Sequence, residues 1–301
     1  MRPVIAFILI MILAISMFTS CNAIVNKIAV ISLNGVIQIE SGSSVFSGAS
    51  ITPDAVRNQL QRAQNDFNVK AIVIQVNSPG GDVSACQEIV YEMQKVKKPV
   101  VISMRSMAAS GGYYISAKAN KIIALPSTLT GSIGVISEVP NLKGLFDKIG
   151  VDMEIVKSGK YKDMYAGMRE LTPEERAIVQ KTTDELYGEF IDIVAEGRHM
   201  DPGKVKELAT GQAYTGLQAK DLGLVDELGG LETAVDEAAK LASIENPQIE
   251  YYHPESPGLF RMLFSGNDSI LGDFIGGKLL GAEQIAALNF INNSYPRFLY
   301  Q

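Results

Sequence analysis

The chain has 301 residues, with 27 Lys+Arg against 33 Asp+Glu for a formal charge of −6, and it is 47 % hydrophobic and 20 % charged. That balance excludes a disordered or low-complexity scaffold, and the length allows two domains or one large α/β domain with a core that needs no disulfides. The lack of any basic run argues against nucleic acid as a partner, and two Cys with two His cannot supply a tetrahedral zinc site at ordinary spacing, so neither metal nor cofactor is expected.

Residues 1–26 differ from the rest. Arg2 precedes an apolar stretch from Pro3 to Phe18, and no further charge occurs before Lys27. This pattern fits a secretory signal, with Thr19-Ser20-Cys21 as a lipoprotein cleavage site and Phe18 where an aliphatic residue is usual. It equally fits an uncleaved anchor, because Pro3 to Val25 just reaches the roughly 20 residues a bilayer requires. A buried core helix is disfavoured by the terminal position and the missing polar face. Either favoured reading puts the remaining chain at the cell membrane on its extracytoplasmic side. Cys21 and Cys86 form no disulfide framework there.

From Lys27 onward, short β-branched runs alternate with amphipathic stretches. Lys27–Leu33, Ala71–Val76, Val100–Met104 and Lys121–Ala124 are predicted buried strands, and Pro53–Asn65 and Val83–Val96 predicted helices, the second capped by Asp82. This alternation predicts an α/β fold with largely parallel pairing. Thr172-Pro173-Glu174-Glu175 has the pattern of a capping box and opens the longest helix, to about Arg198. Leu231–Ala242 is the last clear helix. Past Asn246 the tail is apolar but broken by glycines, and it ends in Tyr295-Pro296-Arg297-Phe298-Leu299-Tyr300.

Two glycine-rich turns attract attention. Asn77-Ser78-Pro79-Gly80-Gly81-Asp82 follows a strand and precedes a helix, so its backbone N–H groups can face a phosphate or a developing oxyanion. No Lys-Ser/Thr follows the glycines, so it is not a Walker loop, and an ordinary tight turn explains it as well. Arg105-Ser106-Met107-Ala108-Ala109-Ser110-Gly111-Gly112-Tyr113-Tyr114 places Ser110 between small residues at a second strand-to-helix turn, although G-x-S-x-G is absent. The plain alternative makes Ser110 a helix cap. A nucleophilic serine needs a base. His199 and His253 lack the setting of a buried imidazole held by a carboxylate, so a Ser-His-Asp triad is possible but weakly supported, and the other base that can activate a serine is a neutral lysine. Lys157, Lys160 and Lys162 cluster just after a predicted strand at Ile155-Val156, and spacing does not choose among them.

Taken together, Asn77–Gly81, Ala108–Tyr114, Thr130-Gly131-Ser132-Ile133-Gly134-Val135 and Ser158-Gly159-Lys160-Tyr161-Lys162-Asp163, in this order, resemble the signal peptide peptidase A family. The segment Tyr214-Thr215-Gly216, Ala219 and Gly223–Asp226 resembles it too. That family consists of membrane-anchored serine proteases of the S49 group with the Clp-protease/crotonase-like fold of repeated β-β-α units and peripheral helices, and this chain's length is similar to its short form. The resemblance implies Ser110 as nucleophile, Lys162 as general base, Ser132 as the residue orienting the lysine, and the N–H groups of Gly81 and Gly111 as the oxyanion hole, with Gly80 the alternative to Gly81. It implies acyl-enzyme hydrolysis of peptides, foremost cleaved signal peptides. It also implies a homo-oligomeric ring, an octamer as in the short form, in which neighbouring subunits share the site and the long helix is a candidate interface. The catalytic domain would span residues 27–245. Residues 246–301 would form a tail on or near the active site or an interface. Met104, Met107, Met153, Met164 and Met168 could line an apolar groove or fill the core. The alternatives are a membrane-operon Ser-Lys protease clipping one apolar partner, a crotonase-like protein binding an acyl-coenzyme A thioester, and an inactive scaffold.

Overall fold

The computed structural model describes residues 25–40, 50–253 and 297–300. In chain order the strands are β1 (Lys27–Asn34), β2 (Val36–Ile37), β3 (Ser50–Ile51), β4 (Val69–Ser78), β5 (Gly81–Asp82), β6 (Val100–Ala109), β7 (Lys121–Ala124), β8 (Leu129–Gly131), β9 (Ile136–Glu138), β10 (Ala213–Thr215), β11 (Glu227–Leu228), β12 (Gln248–Tyr252) and β13 (Arg297–Tyr300). The helices are α1 (Pro53–Asn65), α2 (Val83–Gln94), α3 (Gly111–Ser116), α4 (Lys143–Ile149), α5 (Pro173–Arg198), α6 (Pro202–Leu208), α7 (Gly216–Asp221) and α8 (Leu231–Ala242).

Strands β10, β8, β6, β4, β1 and β12 lie side by side in that order, with β7 on β6 and β11 on β7. Every pair is parallel except β10–β8. The apolar runs are continuous because both faces of the sheet are covered. Ile28, Val30, Ala71, Val73, Val101 and Ile123 pack on Ala234, Val235 and Ala238 of α8. The alternate residues, among them Ala29, Ile31, Ile72, Ile74 and Ile102, point the other way, into the larger core with Leu60, Ile89 and Phe190. Each fully buried Val or Ile contributes about 1.5–3 kcal/mol relative to exposure. The sheet continues past residue 245, because β12 pairs with β1 from Lys27↔Gln248 to Ile31↔Tyr252.

A second, smaller sheet has the order β3, β2, β5, β13, β9. Its strand β5 is the Gly81-Asp82 end of the glycine-rich turn that follows β4.

Helix α5 starts with the full capping box: the Thr172 hydroxyl accepts from the Glu175 amide, and the Glu175 carboxylate accepts from the Thr172 amide. Its C-terminal half buries Phe190, Ile191, Val194 and Ala195, with Phe190 edge-on to Tyr114 at 5.1 Å, whereas its first half buries only Glu175 and Val179. The predicted strand at Ile155-Val156 does not form. No strand occurs between Glu138 and Ala213, and Val156 is 91 % exposed, so its β-branched pattern finds no neighbouring strand to pair with. The leader readings lie almost wholly outside the described residues. Among the described residues no helix is long and apolar enough to cross a membrane.

Candidate active site

The two glycine turns are packed against each other. The first leaves β4 at Ser78, whose buried hydroxyl accepts from the Gly80 amide at 3.1 Å. The backbone then passes through Gly81 at φ +154°, and a β-carbon there would lie 1.9 Å from the Ile37 carbonyl oxygen, so no side chain fits. Asp82 ends the turn by capping α2, accepting from the Ala85 amide at 2.8 Å.

The second turn leaves β6 at Ser110. Its φ of 51° and ψ of −116° put a non-glycine residue in a sparsely populated region, a strain worth about 1–3 kcal/mol that the surroundings must hold. Holding it, the Ser110 amide donates to the Gly131 carbonyl at 2.8 Å, and the Ser110 carbonyl accepts from the Tyr114 amide at 2.8 Å. Ser110 occupies the N-cap position of α3 but makes no side-chain cap bond. Its side chain is fully buried, and Oγ has no hydrogen-bond partner among the described residues. A hydroxyl left unbonded in a buried turn is costly, as expected of a group kept for chemistry rather than for capping.

Gly111 and Gly112 allow the contact between the turns. A β-carbon on Gly111 would stand 2.7 Å from Cys86 Sγ and 3.2 Å from the Gly81 nitrogen, and one on Gly112 would stand 2.8 Å from the Ser78 carbonyl oxygen. Gly81 and Gly111 are thus neighbours beside Ser110, and the Gly111 amide belongs to the first turn of α3, where N–H groups lack helical acceptors. Cys86 is no rival nucleophile: burial pushes its thiol well above the usual range. Tyr113 pins α3 from behind, its hydroxyl donating to the Leu224 carbonyl at 2.9 Å.

Ser132 follows Gly131, the residue that holds Ser110. Ser132 has φ 49°, its amide donates to the Gln212 carbonyl at 2.9 Å, and its hydroxyl donates to the Gly211 carbonyl at 3.1 Å.

The three lysines lie on the segment between α4 and α5, in a series of turns in which the Lys162 amide donates to the Gly159 carbonyl at 3.1 Å. Lys157 Nζ is engaged by Asp163 Oδ1 at 2.5 Å, and Lys160 pairs with Glu174. Lys162 is exposed and, alone of the three, has no ion-pair or hydrogen-bond partner for its amine among the described residues. Within one chain that amine is not bonded to Ser110 Oγ. The structure therefore assembles Ser110, Gly81, Gly111 and the Gly131-Ser132 turn, and presents Lys162 separately, at the surface. His199 is the exposed left-handed C-cap of α5, and His253 is exposed and stacked on Tyr251. Of the methionines, Met104 and Met164 are buried and Met153 is exposed.

Two features were not read from the sequence. Buried Asp163 and Glu175 are joined through Arg169, which holds the Glu175 carboxyl down at about 2, helped by the Thr172 amide, and with Lys157 holds Asp163 well below the usual carboxylate range. The other is the register of β13, which runs antiparallel to β5 with Tyr300 opposite Gly81, and antiparallel to β9 with Arg297 opposite Glu138.

These features define a hydrolase of the Clp-protease-like fold, with a buried serine at a strand-to-helix turn. Residues 92–245 match the model of peptidase family S49, and residues 38–130 match that of Clp protease. The chain is 37 % identical over 91 % of its length to a protein of Enterococcus faecium assigned as a signal peptide peptidase SppA, covering 81 % of that protein. It is 39 % identical over 81 % of its length to Protease 4 of Salmonella typhi, covering 39 % of that longer chain. The 1510-N membrane-bound stomatin-specific protease has a similar fold: one mutant structure superposes with a TM-score of 0.50 at 19 % identity, covering 76 % of this chain and 99 % of that one. This chain belongs to peptidase family S49.

Proposed function

We propose that the chain is a serine endopeptidase working through a Ser110–Lys162 dyad and degrading cleaved signal peptides at the membrane. One observation carries the reading: a buried serine with an unbonded hydroxyl, held in a strained turn against Gly81 and Gly111. In the first half-reaction the neutral Lys162 amine takes the Ser110 proton and Oγ attacks the peptide carbonyl carbon. The resulting oxyanion is held by the Gly81 and Gly111 N–H groups, which would be worth about 3 kcal/mol each. The lysine ammonium then gives its proton to the departing amine, leaving an acyl-serine. In the second, Lys162 takes a proton from water, the hydroxide attacks the acyl carbonyl carbon, and the lysine ammonium returns that proton to Ser110 Oγ as the C–O bond to serine breaks and the acid is released. Ser132 is assigned to orient the amine.

A lysine acts as a base only when withdrawn from water. Lys162 is exposed in the single chain and follows a segment that exposes Ile149, Met153 and Val156 at 61, 55 and 91 %. This supports a homo-oligomeric ring in which a second copy covers that surface and brings Lys162 to a neighbour's Ser110. The slot between β5 and β9, taken in this structure by β13, is assigned as the path of an extended peptide, since β-addition aligns a scissile bond with Gly81. Beside it lies a groove of about 660 Å³ in which Ile136, Val139 and Leu171 are mixed with the charged Arg169, Glu170 and Arg176.

The test is turnover of a fluorogenic apolar peptide by the full chain, Ser110→Ala and Lys162→Ala. Loss of turnover in both variants with the fold retained supports the dyad, and unaffected turnover in Lys162→Ala defeats it.

A further inference from the structure

The amine that this proposed function needs stands on a segment with no strand and no α-helix from Val151 to Thr172. Such a segment would leave the amine poorly placed unless something rigid held it. What holds it is a cluster of ions. The Asp163 and Glu175 side chains are 7 % and 3 % exposed, and both lean on one guanidinium, that of Arg169. Arg169 Nε donates to Asp163 Oδ2 at 3.1 Å and Nη2 to Asp163 Oδ1 at 3.0 Å. Nη1 and Nη2 donate to Glu175 Oε2 and Oε1, each at 2.7 Å. Nη1 also donates to the Glu170 carbonyl at 3.0 Å. These are five bonds for five N–H groups, so the fork is saturated. Removing it would leave the buried Glu175 carboxylate without its cation and Asp163 with Lys157 alone, which is strongly unfavourable.

The connectivity gives the cluster a direction. Glu175 is fixed at the start of the 26-residue helix α5, where it is half of the capping box. Asp163 is the neighbour of Lys162 in the turn closed by the Lys162-to-Gly159 and Ala166-to-Asp163 backbone bonds. A rigid helix thus reaches both neighbours of Lys162, Asp163 through the buried guanidinium bridge and Tyr161 through an exposed bond to Glu174.

We infer that Arg169, bridging Asp163 and Glu175, is a positioning residue that holds the Lys162 turn on the end of helix α5 and so sets where the catalytic amine stands. The inference rests on Lys162 being the base. A misplacement of about 1 Å costs on the order of a hundredfold in rate, and it acts on the chemical step rather than on peptide binding.

The experiment measures kcat and KM on a fluorogenic apolar peptide, with thermal melts, for the full-length chain and five variants: Lys162→Ala, Arg169→Met, Arg169→Lys, Glu175→Gln and Thr172→Ala. Thr172→Ala removes the hydroxyl cap at 3.2 Å from the Glu175 amide but leaves the carboxylate–guanidinium bonds in place, so it reports the cost of disturbing α5 alone. Glu175→Gln keeps an acceptor for the Thr172 amide but removes the charge that Arg169 grips. The expected result is an inactive Lys162→Ala, a kcat about a hundredfold lower for Arg169→Met and for Glu175→Gln, with KM unchanged in Glu175→Gln because Glu175 does not line the groove, and near-normal kcat for Thr172→Ala despite a lowered melting temperature. Arg169→Lys restores charge but not the fork, and is expected to stay at least about tenfold down in kcat. It decides the matter if Arg169→Met does not fold. Wild-type kcat in Arg169→Lys and Glu175→Gln, with Lys162→Ala dead, overturns the positioning role and leaves the dyad standing. An equal kcat loss in Thr172→Ala also overturns it, since the effect then runs through the helix start. An active Lys162→Ala removes the dyad itself.

Discussion

The amide of Ser110 donates to the carbonyl of Gly131 at 2.8 Å, and through that bond a strand three residues long holds the serine in a conformation that serine rarely adopts. The next residue, Ser132, is itself at positive φ and tied to Gly211 and Gln212. The geometry around Ser110 is imposed from β8 on its amide side and from the Tyr114 amide of α3 on its carbonyl side.

If the strain at Ser110 is held rather than intrinsic, relieving it should show. Ser110→Gly is expected to melt above wild type, because glycine accepts positive φ and about 1–3 kcal/mol of strain is relieved. Ser110→Ala removes a buried hydroxyl without a partner, so it should melt no lower than wild type while turnover falls at least about 10⁴-fold. Differential scanning calorimetry with peptide turnover checks both.

The contact between the glycine turns yields a double-mutant cycle. Gly111→Ala would bring a β-carbon to 2.7 Å from Cys86 Sγ, an overpacking expected to cost about 1–3 kcal/mol. Adding Cys86→Ala should recover part of that stability. It should not recover activity, since the new methyl still stands 3.2 Å from the Gly81 nitrogen. Urea unfolding and turnover of the four chains separate the two effects.

Acid should loosen the lysine turn before the main sheet. Arg169 depresses the carboxyls of Asp163 and Glu175, the latter to about 2. Groups lowered on folding contribute stability that is complete above their unfolded values near 4, and that is lost as pH falls toward the folded ones. Urea midpoints of wild type should fall between about pH 5 and pH 2, and those of Glu175→Gln should fall less steeply over the same range.

Because β13 lies in the slot assigned to substrate, a chain ending at Asn293 is expected to bind a peptide more tightly, seen as a lower KM. A synthetic peptide of residues 294–301 should compete with substrate. Identical KM and assembly in the truncated chain would detach the tail from the groove.

If Lys162 serves a neighbouring copy, inactive Ser110→Ala and Lys162→Ala chains should regain turnover when unfolded together and refolded as a mixture, because some interfaces would then pair an intact serine with an intact lysine. Mixtures as inactive as either parent would favour a dyad within one chain.

The sheet was legible from sequence because its strands are buried on both faces: runs such as Ala71–Val76 carry their Ile and Val whichever side they face. The α5 start was legible because a capping box needs only Thr172, Pro173 and Glu175, all local. Ile155-Val156 misled for the converse reason, since β-branched residues favour a strand only where a neighbour exists. The lysine cluster could not be resolved by spacing, since the distinction lies in the partners: Asp163 for Lys157 and Glu174 for Lys160. The role of Arg169 was hidden as well. Its side chain reads as a surface charge until Asp163 and Glu175, twelve residues apart, are seen buried on either side of it.

The central claim is that Ser110 becomes a nucleophile because Lys162 takes its proton. Labelling the assembled enzyme with a fluorophosphonate and mapping the adduct by mass spectrometry tests it most directly. The account expects a single adduct on Ser110 that forms at least about a hundredfold more slowly in Lys162→Ala. An adduct on another residue, or one forming on Ser110 equally fast without the lysine, would contradict it.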